Sequence, residues 1–311
     1  MALACGLLVG GFARAESTPE PAKVTQEKPN AAATARPYLW KIEATGQKPS
    51  WIFGTIHLQR PDVATLPPAV TQAAQQADAV YTEIPLDMAT VLAMASKMMA
   101  PDQSLREVLG PKVFAELEAE IKSVNPELSA GPFERYKPWA VAAALIALED
   151  QMKHAGSLPV DMVIFQRAAM AGKEVGGIET AEEQLAVFDA FTTAEQITMV
   201  SEAIRQIRAV RATGESASDL LARLYLKGDL DVLVTELLKM DAGAADPALS
   251  QKFLEKLLYD RNVRMAERMI KKLRNHPQRS YFFAVGAAHL QGERGLVAAL
   301  EKAGFHLTRA Q

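Results

Sequence analysis

Cysteine is nearly missing from this chain of 311 residues: Cys5 is its one thiol. No disulfide framework and no cysteine-based metal site can be built from a single thiol. Long apolar stretches are missing from the interior, where no run approaches the roughly 18 residues of a membrane-spanning helix. Charge of one sign is missing too. Lys and Arg total 34 against 37 Asp and Glu, so no general basic surface offers itself to nucleic acid. Three catalytic signatures are also absent: a glycine-rich phosphate loop ending in Lys-Ser/Thr, a Gly-x-Ser-x-Gly elbow, and His-Glu-x-x-His.

What is present is ordinary globular composition, 49% hydrophobic and 23% charged. The apolar run Ala2 to Phe12 followed by Ala13-Arg14-Ala15 reads as the core and cleavage site of a secretory signal over residues 1–15. No basic segment precedes it, so the expectation is a longer signal than the residues shown. Residues 16–36, rich in Pro, Ala, Lys, Glu and Thr, read as a flexible linker that cannot bury enough apolar surface to order itself. The folded domain is expected over 37–311, secreted or periplasmic, with no membrane span once the signal is removed.

Histidine is scarce, with five in all, and two of them share a context. Trp51-Ile-Phe runs into Gly54-Thr-Ile-His57, and Tyr281-Phe-Phe-Ala-Val runs into Gly286-Ala-Ala-His289. Each reads as a strand that stops at a glycine and presents a histidine just beyond its end. Tyr38 to Ala44 and Trp51 to Phe53, joined by Thr45 to Ser50, form a predicted hairpin. Ala79 to Ile84 is a predicted strand that places Glu83 near its C-terminal end, where open α/β sheets hold ligands. Lys173 to Gly177 is a shorter one. Thr180-Ala-Glu-Glu183 is a capping box, which sets Glu179 between a strand end and a helix start.

The remainder reads as helix. Met88, Val91, Leu92, Ala95, Met98 and Met99 follow helical spacing and are expected in a core; the alternative is an apolar groove for a partner. Ser104-Leu-Arg-Glu107 reads as a second capping box, Pro111 to Lys122 as an amphipathic helix, and Ala140 to Leu148 as a helix buried on most sides. A late helix carries Arg261 and Asn262, whose side chains diverge by about 100° and can border one cleft. The fold class is α/β, a mixed central sheet with a large helical insert.

Two imidazoles and one or two carboxylates, with a position left for water, make a hydrolytic metal site. His57, His289 and Glu83 supply that set if both Gly-x-x-His turns and the Glu83 strand end share one sheet edge. In that arrangement Arg261 or Asn262 would stabilise an oxyanion, and Glu179 would act as a base or support a ligand. Mn, Co and Zn all suit such donors. The competing reading is a non-catalytic protein that binds a peptide or an envelope component in the same cleft.

The ordered motifs resemble the TraB/PrgY/GumN family, to which the TIKI proteases belong. The hairpin into Gly54-Thr-Ile-His57 is similar to its opening motif and Gly286-Ala-Ala-His289 to its closing one. Thr82-Glu83, Lys137-Pro-Trp139, Asp161, Gly172-Lys173, Gly177-Ile-Glu179-Thr180 with Glu183-Gln184, and Arg261-Asn262 with Met265 match between them. Gln59 departs from the pattern, standing where a glycine is expected. The resemblance covers residues 38 to 309. It implies two related halves, each with one Gly-x-x-His, and a fold similar to erythromycin-esterase-like and ChaN-like proteins. It further implies peptidase activity with manganese or cobalt on a peptide or protein substrate. Carried over, His57, Glu83 and His289 become the metal or catalytic set, and Glu179, Arg261 and Asn262 its neighbours.

Overall fold

The computed structural model describes residues 36–242 and 246–311. The expected signal and nearly all of the expected linker lie outside them. Six strands form one mixed sheet: β1 (Leu39–Glu43), β2 (Ser50–Thr55), β3 (Ala79–Thr82), β4 (Glu174–Gly177), β5 (Tyr281–Gly286) and β6 (His306–Arg309). Their order is β4-β3-β5-β2-β1-β6. β4, β3, β5 and β2 run parallel, and β1 is antiparallel to both β2 and β6. β2, β3 and most of β5 are buried along their length, as parallel strands covered by helices must be.

Four parallel strands end on one edge of the sheet, and each chain segment leaving that edge carries a candidate residue. His57 follows β2, Glu83 follows β3, Glu179 follows β4 and His289 follows β5. The expected shared edge is therefore what the topology builds. Its closest pairing joins the two glycine motifs: Gly54 stands opposite Val285 and Thr55 opposite Gly286. Gly54 has no room for a side chain, because an added Cβ would lie 2.7 Å from Leu290 Cδ1 and 3.0 Å from Ala287 Cα.

The helices of six residues or more are α1 (Pro68–Gln76), α2 (Met88–Met98), α3 (Leu105–Val124), α4 (Pro138–Lys153), α5 (Val160–Met170), α6 (Ala181–Ala186), α7 (Thr193–Arg211), α8 (Ala217–Leu226), α9 (Leu230–Ala242), α10 (Pro247–Leu254), α11 (Asp260–Asn275) and α12 (Leu296–Lys302). One core packs the sheet against α1, α5, α8, α11 and α12 through residues such as Val70, Ile164, Tyr225, Met269 and Leu300. A second lies within the helices, where every residue from Pro138 to Ala147 is buried and Trp139 stacks on Phe188 with ring centroids 4.1 Å apart.

Some expectations change. β4 divides the helical material into two stretches, one on each side of that strand. The α2 stripe is rotated: Met94 and Met98 are buried, while Met88 and Leu92 are 73% and 62% exposed. The predicted 111–122 helix is the second part of α3, which runs from Leu105 across a kink at Gly110, where φ is 70°. Ser104 caps it by accepting the Glu107 N–H and donates its hydroxyl to Glu134, but the Glu107 carboxylate does not return to the Ser104 N–H, so the box is half made. The Thr180/Glu183 box is complete in both directions. A π-turn over Glu255–Tyr259 leads into α11.

Candidate active site

Glu83 sits at the centre. Its Oε2 accepts from Arg261 Nη2 (2.5 Å) and Gln184 Nε2 (3.0 Å), and its Oε1 accepts from the Gly286 N–H (2.7 Å). That same Oε1 lies 3.6 Å from His289 Nε2 and 3.9 Å from His57 Nε2. The three side chains are 3–7% exposed, so they act on one another with little screening by water.

Each imidazole is backed on its other nitrogen. His289 Nδ1 is 2.6 Å from Asn262 Oδ1, and Asn262 Nδ2 donates to the Arg294 carbonyl (2.9 Å). That second bond fixes the amide, because a flipped Asn262 would set its oxygen against the Arg294 oxygen. Asn262 Oδ1 is therefore the acceptor, and His289 carries its proton on Nδ1. Its Nε2 lone pair then faces Glu83 Oε1. His57 Nδ1 lies 3.1 Å from Asp161 Oδ2, in the first turn of α5. Both ring nitrogens of His57 are buried without a hydrogen-bond partner, so the Asp161 contact is one of proximity and charge.

The environment separates the two histidines. Burial, with the charges of Arg261 and His57, pushes His289 down to about 3 against the pull of Glu83. Burial also works against charge on His57, but the carboxylates of Asp161 and Glu83 outweigh it and raise that imidazole. Burial alone would raise the Glu83 carboxyl. Arg261, then the imidazoles and the Gly286 N–H, hold it far below the ordinary carboxylate range.

All six expected residues come together, though Arg261 and Asn262 border no open cleft, as both are buried. Arg261 bridges two carboxylates through Nη2 to Glu83 and Nε to Glu179 (2.8 Å), and Nη1 reaches the Leu257 carbonyl (3.3 Å). Glu179 is held from both sides, since Arg264 Nη2 meets its other oxygen at 2.8 Å. Arg261 is thus spent on holding carboxylates, and Glu179 is neutralised by two guanidiniums. The i,i+3 spacing of Arg261 and Arg264 is a sequence signal for that clamp. Asp161 and Gln184 match family positions but carry no strand-end signal of their own. Only the packing of α5 and α6 shows what they touch.

A family model describing the TraB/PrgY/gumN family matches residues 38–309. Metalloprotease TIKI1 of Danio rerio is 25% identical over 309 residues, covering 87% of this chain and 62% of that protein. The Metalloprotease TIKI homolog of Nematostella vectensis is 25% identical over 86% of this chain and 66% of its own length. The uncharacterised protein YbaP of Shigella flexneri is 24% identical, with 86% of this chain and 94% of that protein covered. The chain thus spans under two thirds of the length of the TIKI relatives it matches. No solved structure gives a significant match.

Proposed function

From its membership of the TraB/PrgY/gumN family, to which this chain belongs, we propose that it is a metal-dependent hydrolase of peptide bonds, secreted or periplasmic. One observation carries the reading. Two imidazole nitrogens converge on one carboxylate oxygen: His289 Nε2 lies 3.6 Å from Glu83 Oε1, and His57 Nε2, buried without a hydrogen-bond partner, lies 3.9 Å from it. A cation satisfies such a cluster.

The donor set fits a divalent ion in chemistry, two imidazole nitrogens and one carboxylate oxygen. Donors each about 2.1 Å from a tetrahedral ion stand roughly 3.4 Å apart. The 3.6 Å separation is close to that and the 3.9 Å one is wider. The set is accordingly open: among the described residues no group of three His, Cys, Asp or Glu is gathered tightly enough to hold an ion as it stands. His57, His289 and Glu83 would hold Mn, Co or Zn, which when bound would polarise a scissile carbonyl and acidify a water.

The chain's own residues arrange the rest. Arg261, Gln184 and the Gly286 N–H fix both oxygens of Glu83, so its orientation is set before any ligand arrives. Arg261 is assigned to that task and not to an oxyanion, and Glu179 balances the charge of Arg261 and Arg264. The extracytoplasmic reading rests on the Ala2 to Phe12 run and its Ala13-Arg14-Ala15 site. Among the described residues no helix is long and apolar enough to cross a membrane.

The test is metal content by native mass spectrometry of the wild type, His57→Ala and His289→Ala after growth with Mn, Co or Zn, alongside cleavage of a peptide library. About one ion per chain, lost in both variants, together with peptide cleavage, is the expected result. No ion in any of three equally folded proteins would overturn the metal reading. Peptide bound but never cleaved would favour the binding-protein alternative.

A further inference from the structure

Three buried carboxylates stand around this site, and two of them have arginines. Glu83 meets Arg261, and Glu179 meets both Arg261 and Arg264. The third, Asp161, makes no ion pair with a lysine or arginine among the described residues. Its one close charge partner is His57, its Oδ2 lying 3.1 Å from Nδ1 but not in line for a hydrogen bond, so that His57 Nδ1 and Asp161 Oδ1 are both buried without a hydrogen-bond partner. A buried carboxylate left without a cation is costly, so its retention calls for a reason at His57. Its place in the first turn of the 11-residue helix α5 favours negative charge there.

His57 needs such a partner. It lies in the irregular segment between β2 and Pro61, where no regular structure holds its backbone. A carboxylate only accepts hydrogen bonds, so it holds a neutral imidazole by the proton on Nδ1 and leaves the Nε2 lone pair free. His289 reaches the same tautomer through Asn262, a neutral amide. The two imidazoles are therefore unequal in backing, His289 by an aligned amide oxygen and His57 by a close negative charge.

We propose that Asp161 is a positioning residue: it fixes His57 as the Nδ1–H tautomer with Nε2 toward Glu83 Oε1, and by its charge makes His57 the stronger of the two imidazole donors. The second half rests on the metal reading above, and the first does not. Carboxylates behind ligating histidines orient the ring and raise its donor strength.

The experiment compares wild type, Asp161→Asn and Asp161→Ala, each with 15N-labelled histidine, His57 being assigned by a His57→Gln control. Two-bond 15N–1H spectra of the metal-free proteins read the tautomer, and titration with Mn2+ or Co2+ reads affinity. The wild type is expected to show His57 protonated on Nδ1, and Asp161→Ala a shift toward the Nε2–H form with affinity about 10–100-fold weaker. Asp161→Asn, which keeps the shape and loses the charge, is expected in between. It carries the test if the alanine variant fails to fold. His57 still held as Nδ1–H in the variants, with affinity within about twofold of wild type, would overturn the proposal. If the wild type takes up neither ion, the metal reading falls, and the tautomer spectra alone decide the role of Asp161.

Discussion

Arg261→Met is the sharpest test of the charge network. The wild-type guanidinium is 1% exposed and lies between Glu83, 3% exposed, and Glu179, fully buried. Methionine fills most of the volume and removes the cation. Glu179 keeps Arg264, so its loss is partial. Glu83 keeps only the Gln184 amide, the Gly286 N–H and the imidazoles, and is left as a buried anion without its main counter-charge. Breaking one side of a buried pair costs about 3–5 kcal/mol. That is a large part of the roughly 5–15 kcal/mol that holds a domain folded. Urea unfolding followed by tryptophan fluorescence, with chelator present, measures the loss.

The pH dependence gives the sign. In the wild type the Glu83 carboxyl is held below its unfolded value, so its contribution is complete above the ordinary carboxylate range and is lost only as pH falls through the depressed folded value. In Arg261→Met burial is no longer opposed by arginine, and the Glu83 carboxyl moves upward. The variant is then relieved as pH falls from 7.5 toward 5, while the wild type gains nothing from this group. The gap between the two proteins should narrow over that interval. Adding Glu83→Gln should recover part of the loss at pH 7.5, since the pair is coupled. A loss below about 1 kcal/mol, or a gap independent of pH with no recovery in the double variant, would refute the reasoning.

Two further outcomes are expected. Gly286→Ala, at an ordinary φ, would place its Cβ 3.2 Å from Glu83 Oε1, 3.5 Å from His289 Cδ2 and 3.6 Å from His57 Nε2. It should fold at a cost of about 1–3 kcal/mol and lose metal uptake, read by thermal melting beside metal analysis, because the methyl occupies the space among the acceptors. Asp150→Asn should match or exceed wild-type melting temperature at pH 7.5. Burial raises the Asp150 carboxyl above its unfolded value, so wild-type stability grows as pH falls through the folded value, and the advantage of the variant should shrink with it.

Much of the site was legible because strand ends are a property of the local chain. A run such as Tyr281 to Val285 followed by glycine announces where a parallel strand stops, and parallel pairing then brings such ends to one edge. Helix rotation is not local. The spacing in α2 pointed to Met88, Leu92 and Met98, yet packing buried Met98 with Met94 and left Met88 and Leu92 exposed. Likewise Arg261 and Asn262 were placed on the right helix, but they turn inward onto Glu83 and His289, which converts an expected open cleft into a buried clamp. The contact of Asp161 with His57 depends on how α5 seats against the sheet, and no periodicity encodes that.

The pairing of β2 with β5 also governs when the site can exist. Ser50 and Tyr281, which hydrogen-bond at the start of that pairing, are 231 residues apart. A chain leaving the ribosome has made His57 and Glu83 long before His289 and the Gly286 N–H emerge. Until β5 docks, Glu83 lacks the Gly286 N–H and its second imidazole, and contacts of such long range form late and slowly. Any product truncated before Tyr281 keeps His57 and Glu83 but lacks His289 and the closing strand.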